Sequence, residues 1–257
     1  MSFLTTVYGI VARDLYRTIR QKSRLFGGLV RPFMWLLLVG TGYNAIARVE
    51  GAVSYKAFVY PGVVVMAALF GAMLTAISTV YDREFGMLRL MLACPAGTMA
   101  VLAGRALAAT LVGILQGGIV LLSGPLLFPL TAGQLATAAL ALAIASASSS
   151  LLGLLVAAPL RSVENFAGVI NVVLFPLLFM SGALYPTAGM PTWLRGVARL
   201  NPVTYQVDLM REALGQPGEF SVAYSLLALA VTSLVAFGLT SFLFDPEQRF
   251  VRRGRSA

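Results

Sequence analysis

No charged residue occurs between Arg105 and Arg161, a run of 55 residues. As one helix this run would measure about 80 Å, against a bilayer hydrocarbon core of roughly 30 Å. It must fold back on itself, and turn signals mark the place: Ser123-Gly124-Pro125, Pro129 and Thr131-Ala132-Gly133-Gln134. Two spans follow, at about 101–123 and 133–158. Other charge-free runs cover 32–47, 57–81, 165–194 and 220–244. A charge at the bilayer centre costs roughly 2.5–3.5 kcal/mol on insertion scales, so such runs are the natural spans. The first extends back to about Phe26, which leaves Arg31 near one end, where its stem can snorkel. The pattern predicts an all-α integral membrane protein in one domain, 1–257. Its six spans fall at about 26–47, 58–81, 101–123, 133–158, 164–184 and 221–244.

Composition agrees. The chain is 58% hydrophobic and only 11% charged, where a soluble domain carries about 25% charge. Its net charge of +9 does not fit a nucleic-acid binder, which would not be this apolar. Lys and Arg give the orientation. With both termini on one side, that side holds 14 of them and the other holds Arg48, Lys56, Arg195, Arg199 and Arg211. Both termini are therefore expected in the cytoplasm. The start reads as no secretory signal, because six charges precede any long apolar run.

Three segments outside the spans carry pattern. Leu4, Val7, Val11, Leu15 and Ile19 fall on one helical face of residues 2–24, with Arg13, Arg17, Arg20 and Arg24 on another. This predicts an interfacial amphipathic helix. The loop 82–97 begins Asp82-Arg83-Glu84 and continues with Phe85, Leu88 and Leu92 on one stripe, ended by Pro95 and Gly97. Such a helix either lies on lipid or fits a groove in a soluble partner. The segment 185–219 is half apolar, with Trp193 and Tyr205 suited to the headgroup level. It predicts two short external helices, about 191–199 and 203–214, dipping into the outer interface. Asn201 would cap the second and Pro202 would open it.

The available chemistry is narrow. Histidine is absent, which removes His-based catalysis and metal sites, and the single Cys94 allows no disulfide. The only lysines, Lys22 and Lys56, stand in no phosphate-binding loop. No metal site is expected, and energy for any work must enter from a partner or an ion gradient. All ten acids lie in loops or near span ends, which argues against an ion-coupled secondary transporter, the alternative reading. A lipid-modifying membrane enzyme is weaker still, with no buried carboxylate pair. Gly113-x-x-x-Gly117 and the serines Ser146–Ser150 read first as close packing within the subunit. Asn171, mid-span, needs a partner: it lines a substrate path or bonds a neighbouring helix. Pro176 can kink that helix. Thr75, Ser78 and Thr79 are further path candidates, or bond only their own backbone.

The stretch from Glu84-Phe85-Gly86 through Cys94-Pro95, followed by Gly104-Arg105, resembles the cytoplasmic coupling segment of type-2 ABC exporter permeases. Cys94 departs from it, standing where the family often has a small residue. Ser181-Gly182-Ala183-Leu184-Tyr185-Pro186, Pro191-x-Trp193-Leu194, and Leu200-Asn201-Pro202-Val203-Thr204-Tyr205 with Arg211 resemble the family's segment between its last two spans. The resemblance covers essentially the whole chain. It implies a non-catalytic permease subunit in a bacterial inner membrane, exporting an amphipathic or lipid-like molecule. Its implied partners are a second permease subunit, as a homodimer, and cytosolic ATPase subunits that hold the ATP and Mg. The coupling helix, with Arg83, Glu84, Phe85, Gly86, Leu88, Arg89, Leu92 and Pro95, would rest on the ATPase. Arg13, Arg17 and Arg20 of the first helix would touch it too. The first and fifth spans would line the dimer interface and the path.

Overall fold

The computed structural model describes residues 3–42, 54–92 and 97–253, and every regular element among them is helical. The elements are α1 (Phe3–Arg20), α2 (Lys22–Met34), α3 (Tyr55–Glu84), α4 (Met87–Leu92), α5 (Gly97–Leu122), α6 (Ala132–Ala157), α7 (Val163–Phe179), α8 (Thr192–Leu200), α9 (Pro202–Ala213) and α10 (Val222–Arg253). α2 runs on through a wider π-type stretch, Trp35–Val39, just after Pro32 interrupts its hydrogen-bond ladder. Thr131 and Gln134 form a reciprocal capping box at the start of α6.

Among the described residues, five segments are long and apolar enough to cross a membrane: Leu25–Gly42, Tyr55–Glu84, Gly97–Leu126, Ala132–Ala157 and Val222–Phe244. The predicted fifth span, 164–184, differs. α7 has 17 residues, about 25 Å at the usual rise. After Phe179 the chain leaves the helix, Ser181 Oγ turns back to donate to the Leu178 carbonyl (2.7 Å), and Gly182 takes a φ of 78°. The predicted end of the first span, beyond residue 42, lies outside the described residues. The loop 82–97 is also corrected: Asp82, Arg83 and Glu84 belong to the last turn of α3. Gly86, at φ 76°, adopts the left-handed turn that separates them from the short α4.

α3 is the mast of the bundle, buried almost along its whole length. It is apolar all round, as a helix enclosed on every side must be. Its nearest neighbours are α5 and α6. The glycines of Gly113-x-x-x-Gly117 permit the approach: a Cβ on Gly113 would lie 3.0 Å from the Ala68 carbonyl, and one on Gly117 2.5 Å from Leu142 Cδ1. By contrast α7 buries only Phe166, Leu174 and Leu178, and α2 and α10 are also mostly exposed.

The segment predicted to lie at the outer interface divides in two. α8 exposes Trp193, Val197 and Leu200. α9 instead enters the bundle, with eight consecutive buried residues, Val203–Met210. It lies along α6: Thr137 Oγ1 donates to the Ala213 carbonyl (2.8 Å), and Ser149 Oγ to Gln206 Oε1 (3.1 Å). Those α6 positions are about 18 Å apart along the helix. A polar helix tolerates such depth because protein, not lipid, surrounds it.

Candidate functional site

Charge collects where α1, α3 and α5 meet. Arg105, on the first turns of α5, is 2% exposed, and Asp14 of α1 is 1% exposed. Arg105 Nη1 donates to Asp14 Oδ2 (3.1 Å), and Nη2 to Asp82 Oδ2 at the end of α3. Arg13 bridges the same two acids, through Nε to Asp14 Oδ1 (3.2 Å) and Nη2 to Asp82 Oδ2. Arg17 Nη1 lies 3.9 Å from Asp82 Oδ1. Burial works against the Arg13 charge, but the hydrogen bond to Asp82 and the charges of both acids outweigh it and hold that guanidinium above its ordinary value. The cluster ties the end of α3 and the first turns of α5 to the N-terminal helix.

This geometry sets the rotation of α1. Leu4 and Ile19, at the two ends of its apolar stripe, are exposed, whereas Ile10, Asp14 and Thr18 turn inward. Ile10 packs on Gly104, where a Cβ would come within 3.0 Å of it. Acids at the membrane surface need cations more than methyl groups need shelter, so the charged edge rotates toward Arg105 and leaves Leu4 and Ile19 for lipid. Arg20 stays exposed, stacked on Tyr16 at 4.7 Å.

The predicted coupling residues separate into three groups. Phe85 is exposed and stacked on Tyr81 (4.8 Å), and Met87 and Leu90 are exposed beside it. Leu88 is buried with Ile10, Val101, Leu102, Ala158 and Phe244. Arg83 and Glu84 turn back onto the body of the protein. Arg83 Nη1 donates to the carbonyls of Ala157 (3.2 Å), Ala158 (2.6 Å) and Leu160 (2.7 Å), and Glu84 Oε2 accepts from the Val163 amide (2.9 Å). Arg89 and Leu92 lie on α4, but their side chains, like Pro95 as a whole, lie outside the described residues.

The predicted path residues do not converge. Asn171 and Pro176 face outward from α7, and Asn171 Nδ2 donates to its own helix at the Ala167 carbonyl (3.0 Å). Among the described residues it bonds its own helix and not a neighbouring one. Thr75, Ser78 and Thr79 are buried in α3, and Thr75 Oγ1 donates to the Gly71 carbonyl (3.0 Å). Sequence reasoning missed Gln116, buried in the last two turns of α5 between Gly28 and Gly71, with an Oε1 that has no hydrogen-bond partner among the described residues. Its signal was a carboxamide inside the longest charge-free run.

At the opposite end the polar groups are held by backbone. Asn201 Oδ1 accepts from the Val203 amide (3.0 Å) and its Nδ2 donates to the Leu177 carbonyl (2.6 Å), while Pro202 opens α9. Tyr205 OH donates to the Arg199 carbonyl (2.6 Å). Asp208 accepts from the amides of Glu219 and Phe220 and from Ser225 Oγ (3.0 Å). Arg211 Nη2 donates to the Gly182 carbonyl (2.6 Å), with its guanidinium 4.2 Å from the Phe58 ring centre. Burial pulls that guanidinium down to about 10, partly offset by the charges of Asp208 and Glu219. Beside α9, an apolar groove of about 360 Å³ opens between α6 and α10, lined by Leu140, Ile144, Leu209 and Leu226, with Thr137 and Glu212 among its other lining residues.

Residues 5–214 match the family described as ABC-2 type transporter. The chain belongs to that family. It is similar to a putative transport permease, ycf38, of Cyanophora paradoxa, 29% identical, covering 91% of this chain and 87% of that one. It is also similar to the probable multidrug ABC transporter permease YbhR of Escherichia coli K12, 27% identical over 90% of this chain and 63% of that one. Nodulation protein J of Rhizobium leguminosarum bv. trifolii is 29% identical, covering 86% and 85%. The ABC-2 permease is thus a multi-pass membrane protein of a transport system.

Proposed function

We propose that this ABC-2 permease is the membrane half of an ATP-driven exporter that takes an amphipathic or lipid-like substrate outward from the cytoplasm or inner leaflet. One observation carries the reading: an exposed apolar patch on a braced stem. Phe85, Met87 and Leu90 are exposed, Leu88 anchors the same short helix, and the Asp14–Asp82–Arg105 cluster fixes its base. An exposed apolar patch among charges either lies on lipid or is covered by a partner, and the bracing of this one at its base supports the partner. In this reading the partner is an ABC ATPase carrying the ATP and Mg. It docks on that patch and on Arg20, while Arg13 and Arg17, each about a third exposed, divide their charge between the cluster and the partner.

The patch lies at the end rich in Lys and Arg, so both termini face the cytoplasm of a bacterial inner membrane. A second copy pairs across α2 and α7. Their exposed faces adjoin, with Trp35 edge-on to Phe179 at 5.9 Å. Asn171 and Pro176 would then border the path between subunits, and Thr75, Ser78 and Thr79 would open to it only when the helices part. The external helices, through Trp193, Asn201, Pro202, Tyr205 and Arg211, would close the outer end. The relative named as a probable multidrug ABC transporter permease supports a drug-like cargo. Ion coupling finds less support, since Arg105 and Arg13 already engage Asp14 and Asp82.

Co-purification with the cognate ATPase tests the docking. Leu90→Glu should abolish association, and Gly86→Pro should keep insertion while ending transport-coupled hydrolysis. Normal association and coupling in both variants would remove the proposal.

A further inference from the structure

The two residues that open the coupling motif, Arg83 and Glu84, turn away from the exposed patch and toward the turn that joins α6 to α7. A helix ends with carbonyls that have no partner and begins with amides that have none, which leaves partial negative charge at the first place and partial positive charge at the second. The α6–α7 turn brings one of each together within residues 157–163. Pro159, in that turn, has no amide of its own to give. Arg83 supplies a donor to the carbonyls of Ala158 and Leu160 and a second one to that of Ala157, which also accepts from the Leu160 amide, while its guanidinium stands 4.9 Å from the Phe244 ring centre of α10. The next residue, Glu84, supplies the missing acceptor to the Val163 amide, and Ser162 Oγ accepts from the Asn165 amide one turn further in. Cation meets helix end and anion meets helix start. With the two side chains exchanged, like charge would stand against both termini.

We propose that Arg83 and Glu84 form a charge-matched clamp that carries displacement of the Met87–Leu92 helix to the ends of α6, α7 and α10, so that they are positioning residues inside the permease and not contacts to the ATPase. This rests on reading α4 as the ATPase-docking helix. The mechanical logic is short. α4 is separated from α3 by only Phe85 and Gly86, so a push on α4 reaches the last turn of α3. From there α5 is joined through Asp82 and Arg105. Arg83 and Glu84 add the 157–163 turn, and with it α7, whose other face is almost bare.

Amide hydrogen exchange on the full complex in lipid, permease with its ATPase, with and without ATP, reads the clamp directly. In the unaltered complex the ATPase should protect 85–92, and ATP should change exchange in both 85–92 and 157–165. In Arg83→Gln and Glu84→Ala the ATP-dependent change at 157–165 should fall at least about tenfold, while the change at 85–92 and the ATPase affinity stay within about threefold. Arg83→Lys and Glu84→Gln keep a donor and an acceptor in place. They should retain most of the signal, so that the test survives if the harsher variants fold poorly. The clamp is overturned if 157–165 still responds to ATP in both harsh variants, or never responds in the unaltered complex. It is also overturned if both variants lose ATPase affinity together with the response at 85–92, for then they are contacts. Absence of ATPase protection at 85–92 in the unaltered complex would instead strike the docking reading itself.

Discussion

At one end of the ABC-2 permease, Arg105 is enclosed with two carboxylates drawn from helices far apart in sequence. At the other, Asp208 is enclosed with no cation in hydrogen-bond contact among the described residues: its oxygens meet two amides and a hydroxyl of the turn and helix start just after α9. Both ends bury charge, but by different means. Side-chain ion pairs join separate helices and depend on each helix keeping its place. Backbone amides belong to the local chain and hold whatever their neighbours do. The first design suits an end where helices shift against each other under load; the second suits an end that keeps a fixed shape. The contrast predicts unequal costs of breaking each.

Arg105→Met should cost most. Removing one partner of a buried ion pair typically costs about 3–5 kcal/mol, because the remaining charge stays desolvated. Here two acids lose their buried cation, with Arg13 and Arg17 left at the rim. The readout is thermal unfolding of the purified permease in detergent. The triple variant Asp14→Asn, Asp82→Asn, Arg105→Gln should recover much of the loss, since neutral groups of similar size leave no buried charge. If the triple variant is no better than the single, geometry and not charge holds this end.

Asp208→Ala should come second. It strips the acceptor from Ser225 and from two amides, at about 2 kcal/mol for donors left unpaired. Asp208→Asn should recover part of this through its remaining oxygen. A cost as large as that of Arg105→Met would erase the distinction between the ends. Asn201→Ala is smaller, about 1 kcal/mol for a lost helix cap, read by the same unfolding assay.

Five spans are legible because a charge is expensive in lipid: charge-free runs overlap α2, α3, α5, α6 and α10, whereas α7 stops five residues short of the fifth span predicted. The Asn201-Pro202 step locates the break between α8 and α9, because capping is a local affair. The reach of α9 is not legible: its burial comes from Ser149, 57 residues away, and from Ser225. The partners of Arg83 and Glu84 stand 74 to 79 residues on, and Asp14 stands 91 residues from Arg105. Periodicity reports which face is apolar, not which distant residue answers a charge. For that reason the stripe of α1 marks an amphipathic helix but not its inward edge, which Asp14 sets. Asn171 escapes for a related reason. A carboxamide that bonds its own helix satisfies the need for a partner without pointing at one.

Gln116 sharpens the comparison from the middle of the bundle, and it should have the smallest effect on stability. It belongs to neither device, with no ion pair and an Oε1 that has no hydrogen-bond partner among the described residues. An unpaired buried acceptor is a burden to folding, so Gln116→Leu, of similar volume, should change stability by less than about 1 kcal/mol or raise it. Gly28 and Gly71 leave room for this side chain where a Cβ would collide with it, at 2.7 Å and 3.1 Å. We predict that this oxygen finds its donor when α2, α3 and α5 part. ATP-dependent transport should therefore fall in Gln116→Leu while the unfolding temperature holds. If the unfolding temperature drops as far as in Asn201→Ala, Gln116 is a packing residue of the closed bundle and nothing more.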